Sequence, residues 1–308
     1  MSLEATTLTD NSKVLVTGAA GVLGTELCRV LKASGSEVLA TDINCEKDVS
    51  YLDVRESSEV SALVARERPG LVMHLAAETD VDRCETEIDH AYRTNTVGTW
   101  NVALACQRTD TPMVYVSTAG VFDGTKKEPY IEFDDPNPVN VYGRSKLQGE
   151  EFVKQLLSRF YIVRASWMIG GGPVKDKKFV AKIMKQLEGG AKELSAVTDK
   201  IGSLTYAPDF SKHLVELVGT GWYGTYHLAN RGTCTRYEVA RHVLDHLHRK
   251  DVVLKAVTSE AFALPAARAN SEMLRNYMLE LRGMNSMRDW REALDDYLDR
   301  HFSYARHA

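Results

Sequence analysis

Tyr142 and Lys146 stand four residues apart in the stretch NVYGRSKLQGE, just after the proline-spaced DDPNPV. On a helix, four residues is a little more than one turn, so phenol and ammonium would share a face and could meet one ligand. The chemistry open to such a pair is proton donation. A free phenol titrates near 10, and an adjacent cation favours phenolate and draws that value down towards neutrality. The alternative is two surface side chains, since a chain with 13 tyrosines should hold roughly one such pair by chance.

The elements that must position the pair alternate in type. KVLVTG is a valine-rich run stopped by glycine, and GVLGTELCRVLKASG then carries apolar residues at Leu23, Leu27, Val30 and Leu31, with Gly35 placed to cap the end. The rhythm continues through EVLATD, YLDV, a helix over SSEVSALVARE, LVMHLAA, a helix over HAYRTNTVGTWNVALAC, and PMVYVSTAG. After NVYGRSK the helix is expected to run to about Phe160 and give way to YIVRASWMIG as a strand. Strands spaced by helices predict an α/β fold, a Rossmann-type doubly wound parallel sheet covered on both faces. Beyond Gly170 the rhythm changes: GGGPVKDKKF reads as a flexible basic loop and the elements shorten. A dinucleotide-binding domain is therefore expected over 11–169 and a smaller substrate-binding lobe over 170–308, with DFSKHLVELV and YGTYHLAN folding back on the first domain.

The first strand runs into TGAAGVLG, so Gly18, Gly21 and Gly24 form GxxGxxG between a strand and a helix. Gly18 would allow the tight turn, Gly21 the approach of a pyrophosphate and Gly24 the close packing of helix on strand, with Val22 and Leu23 offering amides at the helix start. The second strand ends at Asp42, eighteen residues after Gly24, where a carboxylate can accept from adenosine ribose hydroxyls. A 2'-phosphate there would meet like charge and no arginine follows in INCEK, so NAD(H) is the favoured cofactor and NADP(H) the alternative. Asp53 and Val54 close YLDV where an adenine edge would be held, or serve as a strand-end cap and a core valine. Ala76 and Ala77 would line the cofactor wall after VMHL, or are small because helices pack there.

Composition excludes several classes of function. No apolar run approaches the roughly 18 to 20 residues that cross a bilayer, and the N-terminal MSLEATTLTDNSK is polar, so no membrane association is expected and the location is read as cytoplasmic. A formal charge of −4 with interspersed signs offers no basic stripe for nucleic acid. Cys28, Cys45, Cys84, Cys106 and Cys234 show no CxxC spacing and read as free thiols. His242, His246 and His248 in RHVLDHLHR lack a completing ligand set in the sequence and read as a solvated helix face, so no metal is expected.

With GxxGxxG after the first strand, Asn95 in a middle helix, Ser117 and Thr118 ending MVYVST, and Tyr142 about 24 residues on with Lys146, the chain resembles an extended short-chain dehydrogenase/reductase. Within that superfamily it is similar to the dTDP-4-dehydrorhamnose reductases, through VFDGT, PYIEFDDPNPVNVYGRSKLQGE, VRASWMIG, GSLTYAPDFS, ARANSEMLR and WREALDDYL in that order, from about Lys13 to Leu298. The resemblance implies Tyr142 as proton donor, Lys146 as its partner on the nicotinamide ribose, Thr118 with Ser117 second on the carbonyl oxygen, and Asn95 shaping a proton relay to the lysine. It also implies a nucleotide-sugar substrate, with Trp167 walling the sugar, Arg268, Asn270 and Ser271 as further contacts, and a homodimer. Lys175, Lys177 and Lys178 could serve a diphosphate, or form a solvated loop. Four positions depart from the pattern: Ala119-Gly120 where Asp-Tyr is usual, and Leu204 and Ala269 where proline is usual. The implied activity is NAD(P)H-dependent reduction of a nucleotide-linked 4-keto-6-deoxyhexose. The alternatives are an epimerase or dehydratase on the same scaffold, and a regulatory subunit like that of methionine adenosyltransferase.

Overall fold

The computed structural model describes residues 12–303. The polar N-terminus, residue 11 of the expected first domain and residues 304–308 of the second lie outside the described residues. The main sheet holds β1 (Lys13–Thr17), β2 (Glu37–Asp42), β3 (Ser50–Tyr51), β4 (Leu71–His74), β5 (Met113–Thr118), β6 (Phe160–Ala165) and β7 (Gly224–His227). They run in space as β3-β2-β1-β4-β5-β6-β7, every pair parallel. This is the Rossmann order, and it opens a crevice beyond the carboxyl ends of β1 and β4, where the winding reverses.

Consecutive strand residues go to opposite cores. Val14, Val16, Met73, Val114 and Val163 meet Leu23, Leu27 and Leu31 of α1 (Val22–Ala33). Leu15, Val72, Met113, Tyr115 and Ile162 meet Val60 and Val64 of α2 (Ser57–Glu67), Val102 and Cys106 of α3 (Gly98–Thr109) and Val153 of α4 (Val141–Leu156). Burial on both faces is why these strands read as unbroken apolar runs. The helix Ala207–Gly219 joins the first of these cores through Phe210, Leu214 and Leu217, and β7 extends the sheet, so DFSKHLVELV and YGTYHLAN lie with the main sheet. A separate core is built from Phe179–Glu188, Arg236–His246 and Trp290–Phe302, around Ile183, Val243, Leu294 and Leu298.

Departures from the sequence expectation have identifiable causes. YIVRASWMIG breaks at Ser166, whose amide donates to Thr205 Oγ1 at 3.1 Å and whose hydroxyl donates to the Glu272 carbonyl at 2.8 Å. Trp167–Ile169 thereby leaves the main sheet and pairs with Leu204–Tyr206. α4 stops at Leu156, because Phe160 already pairs with Met113. The helix expected over HAYRTNTVGTWNVALAC is interrupted by a π-helical turn at Arg93–Val97, and YLDV contributes only its tyrosine to a strand. GGGPVKDKKF contains a helical turn, Gly172–Lys175, entered through three positive-φ glycines, Gly170, Gly171 and Gly172.

His242 and His246 do not form a free face: they meet Asp295 at 2.7 and 2.8 Å, and His246 also meets Asp299 at 2.7 Å. His248 lies past the helix end with positive φ. Among the described residues there is no metal-holding group of three or more His, Cys, Asp or Glu, and no helix long and apolar enough to cross a membrane.

Candidate active site

A cleft of about 420 Å3 lies over the carboxyl ends of the central strands. Its lining includes Gly18, Gly21, Val22, Leu23, Gly24, Asp42, Asp53, Val54, Ala76 and Ala77, and then Ser117, Thr118, Tyr142 and Lys146.

The glycine turn is tight at two of its three positions. Gly18 has φ +73°, and a Cβ there would stand 2.6 Å from Ala76 N; a Cβ at Gly24 would stand 2.1 Å from Gly18 O. Gly21 caps α1 with no side-chain partner, and the first helical residues, Val22, Leu23 and Gly24, line the cleft. Asp42 Oδ2 accepts the Ala20 amide at 3.1 Å and Oδ1 the Asn44 amide at 2.9 Å, which leaves lone pairs for hydroxyl donors. Asp53 is clamped by Arg55, whose guanidinium and amide hold its carboxyl below the usual range. Val54 packs over Gly98, and its carbonyl accepts from Asn101 at 3.0 Å.

The reactive end is assembled by one helix start meeting one strand end. Asn140 caps α4, its Oδ1 accepting the Gly143 amide at 2.8 Å while its Nδ2 donates to the Ala267 carbonyl at 2.8 Å. Gly143 lets the helix close on the chain after β5: a Cβ there would lie 2.1 Å from Gly120 O. Thr118 and Tyr142 become neighbours by this approach, and a Cβ at Gly120 would touch both, at 3.4 and 3.7 Å. Thr118 Oγ1 accepts the Gly120 amide at 3.0 Å, leaving its O–H to donate. Ser117 differs: its hydroxyl donates to buried Glu150 Oε1 at 2.6 Å, so its proton is committed.

The expectation that Lys146 lowers the Tyr142 phenol is not met in the ligand-free protein. Burial raises the phenol above its ordinary value, opposed by a hydrogen bond from Thr118. Burial draws Lys146 down to about 7 against the pull of Glu150, and its ammonium faces the Tyr115 ring. The phenol is therefore protonated at neutral pH, as a proton donor must be.

Of the remaining expected residues, all but Lys178 lie outside the cleft lining. Asn95 is fully buried in the π-helical turn; its side chain exchanges hydrogen bonds with the Glu78 amide and carbonyl at 2.8 and 3.1 Å and donates to Ser145 Oγ at 3.0 Å. Trp167 donates its indole N–H to Glu272 and carries the Arg236 guanidinium 3.6 Å from its ring centroid, so one ring face is already stacked. Arg268 pairs with Asp82 at 2.8 Å, and Asn270 accepts from Lys200 at 2.7 Å. Ser271 is buried. Of the three loop lysines, Lys178 lines the cleft, Lys177 is exposed, and Lys175 straps the glycine turn through Ala20 O, Thr25 Oγ1 and Glu46.

Sequence reasoning missed Arg55, Glu78 and Lys146's neighbour Tyr115, as well as Arg236. The last had one available signal. Thr235 and Glu238 form a capping box, which fixes Arg236 as the first residue of a helix.

A family profile described as RmlD substrate binding domain matches residues 12–302. The chain belongs to the RmlD substrate-binding domain family. The spore coat polysaccharide biosynthesis protein SpsK of Bacillus subtilis is 36% identical over 287 residues, covering 93% of this chain and 97% of that protein. A solved dTDP-4-dehydrorhamnose reductase from Clostridium acetobutylicum superposes with a TM-score of 0.86 at 38% identity, covering 93% of this chain and 98% of the other. The dTDP-4-dehydrorhamnose reductase of Bacillus anthracis, solved in complex with NADP, gives 0.87 at 36% identity, with 94% and 99% covered.

Proposed function

We propose that this RmlD-family chain reduces the C4 carbonyl of a nucleotide-linked 4-keto-6-deoxyhexose with NAD(P)H, most simply dTDP-4-dehydro-L-rhamnose to dTDP-L-rhamnose. The observation that carries the reading is the convergence of Thr118, Tyr142 and Lys146 on one cleft whose far end is the glycine turn and Asp42. The names of its relatives support the same chemistry.

The residues present fit a dinucleotide. The turn over Gly18 and Gly24 leaves no room for side chains, and the first residues of α1, with no side-chain cap, line the cleft. Asp42 would accept the adenosine ribose hydroxyls. Near it, Arg55 is engaged by Asp53 and Lys175 by Glu46, so a 2'-phosphate would meet Asp42 uncompensated, and NADH is the favoured donor with NADPH accepted. When bound, the dihydronicotinamide supplies a hydride to the carbonyl carbon. Tyr142 gives its phenolic proton to the carbonyl oxygen, completing the alcohol. Thr118 donates to the same oxygen and steadies its growing charge. Lys146, as an ammonium, holds the nicotinamide ribose hydroxyls and stabilises the phenolate that remains. Ser117 holds Glu150 in place of touching substrate.

The lobe after residue 170 would take the nucleotide sugar, with Lys178 on the cleft wall supplying charge for its diphosphate. Gly120, against both Thr118 and Tyr142 where the resembled family usually carries tyrosine, is the position that sets the sugar accepted.

The test is oxidation of NADH and, separately, NADPH with dTDP-4-dehydro-L-rhamnose made in situ, comparing wild type with Tyr142→Phe. The reading expects stoichiometric consumption by wild type and none by the variant, which still binds cofactor. An epimerase or dehydratase would consume no net cofactor, and a regulatory subunit would have no turnover to lose.

A further inference from the structure

Lys146 is buried, and burial alone drives a lysine towards the neutral amine, yet the site needs it charged. The groups facing it are Tyr142 and Glu150 on its own helix, Cys84 on the helix Val81–Thr86, and His74 and Tyr115 on β4 and β5. All but Glu150 are uncharged near pH 7, and Glu150, which favours the ammonium, is shared. Glu150 is held by Arg164 through two hydrogen bonds, at 2.9 and 2.7 Å, with Lys154 at 3.8 Å. Burial pushes the Cys84 thiol up to about 12 and draws His74 down to about 3, so both are neutral near pH 7. Tyr142 is protonated.

Beside Glu150, the group in direct contact with the ammonium is the face of Tyr115. Lys146 Nζ lies 4.1 Å from its ring centroid. The ring is fully buried, and its hydroxyl donates to the main-chain carbonyl of Lys146 itself at 3.2 Å. It stacks on His74 at 5.7 Å and 18°, and His74 is fixed by Thr17 at 2.7 Å and Thr99 at 3.0 Å. Gly149 is the opening that admits it: a Cβ there would stand 2.5 Å from the Tyr115 hydroxyl and 3.0 Å from Cζ. We propose that Tyr115 is a positioning residue, whose anchored ring face holds Lys146 as an ammonium by a buried cation–π contact and fixes where that charge sits in the cleft. The catalytic consequence rests on the reductase reading; the contact does not.

A desolvated contact of this kind is worth a shift of about one pH unit or more in the titration of the amine. The experiment replaces Tyr115 with phenylalanine and with phenylalanines carrying one, two or three ring fluorines, which keep the shape and progressively remove the negative face. In the cofactor-free protein, the pH midpoint of Lys146 reactivity is read by competitive acetylation with trace acetic anhydride and peptide mass spectrometry. Tyr115→Phe should keep the wild-type midpoint, and each fluorine should lower it, by about one unit across the series. A midpoint that ignores fluorination overturns the proposal. The same series is then run for turnover, where the alkaline limb of kcat/KM should move with the acetylation midpoint. A moving midpoint without any wild-type turnover sustains the contact and sinks the reductase reading instead. A moving midpoint beside a fixed alkaline limb overturns the positioning role.

Discussion

Replacing Lys146 with methionine should stabilise the ligand-free protein most in acid and less as the pH rises. The side chain is 3% exposed, and its folded-state value stands at about 7 against 10.5 unfolded. A folded value below the unfolded one means that the unfolded chain binds more protons between about pH 7 and 10.5. Wild-type stability therefore rises through that window by about 1.4 kcal/mol per pH unit, and the whole cost of burying the charge is present below it. The full shift of 3.5 units corresponds to about 5 kcal/mol, an upper bound because the Tyr115 ring returns part of it. Methionine has a similar reach and no charge to desolvate. The variant's advantage should be greatest below about pH 7 and should shrink by about 2.7 kcal/mol over the next two units. Urea unfolding of both proteins at about pH 6 and about pH 9 measures this difference directly. If the two stabilities run parallel with pH, Lys146 keeps its ordinary basicity, and the reasoning from burial is wrong.

Two further outcomes follow from the same geometry. Glu150→Ala leaves Arg164, 2% exposed, without its carboxylate and frees the Ser117 hydroxyl, so it should cost about 3–5 kcal/mol in urea unfolding; a loss below about 1 kcal/mol would mean that the pair is solvated. Asp42→Ala should weaken NADH roughly tenfold while leaving NADPH nearly unchanged, as read by fluorescence titration; equal losses for both would remove Asp42 as the discriminating group.

The parts of the molecule that were legible in the sequence are those set by near neighbours. The strand-turn-helix at Gly18 to Gly24 and the helix holding Tyr142 and Lys146 rest on periodicity and glycine placement within about one helical or strand length. What was not legible depends on partners distant along the chain. The break at Ser166 is made by Thr205 and Glu272, the stacked face of Trp167 by Arg236, and the π-helical turn at Asn95 by Ser145 and the Glu78 backbone. The pairing of His242 and His246 with Asp295 is of the same kind, joining two helices that no local pattern relates.

The join between β5 and α4 shows where the two kinds of information meet. Strand alternation alone puts Tyr115 and Ser117 on one face, about 7 Å apart, and helical periodicity puts Lys146 and Glu150 on one face, about 6 Å apart. Where the helix lies on the strand both pairs are in contact: Lys146 on the Tyr115 ring, and Glu150 on the Ser117 hydroxyl. Only Gly149 permits the separation to be small enough, since any side chain there would strike Tyr115. The register of helix on strand is thus fixed by two polar contacts and one absent Cβ. Tyr142 reaches Thr118 by a separate approach, where Gly143 lets the helix start close on Gly120 just past the strand end. The contacts that hold the lysine and the one that brings the phenol to Thr118 thus depend on two glycines of the same helix, Gly149 against Tyr115 and Gly143 against Gly120.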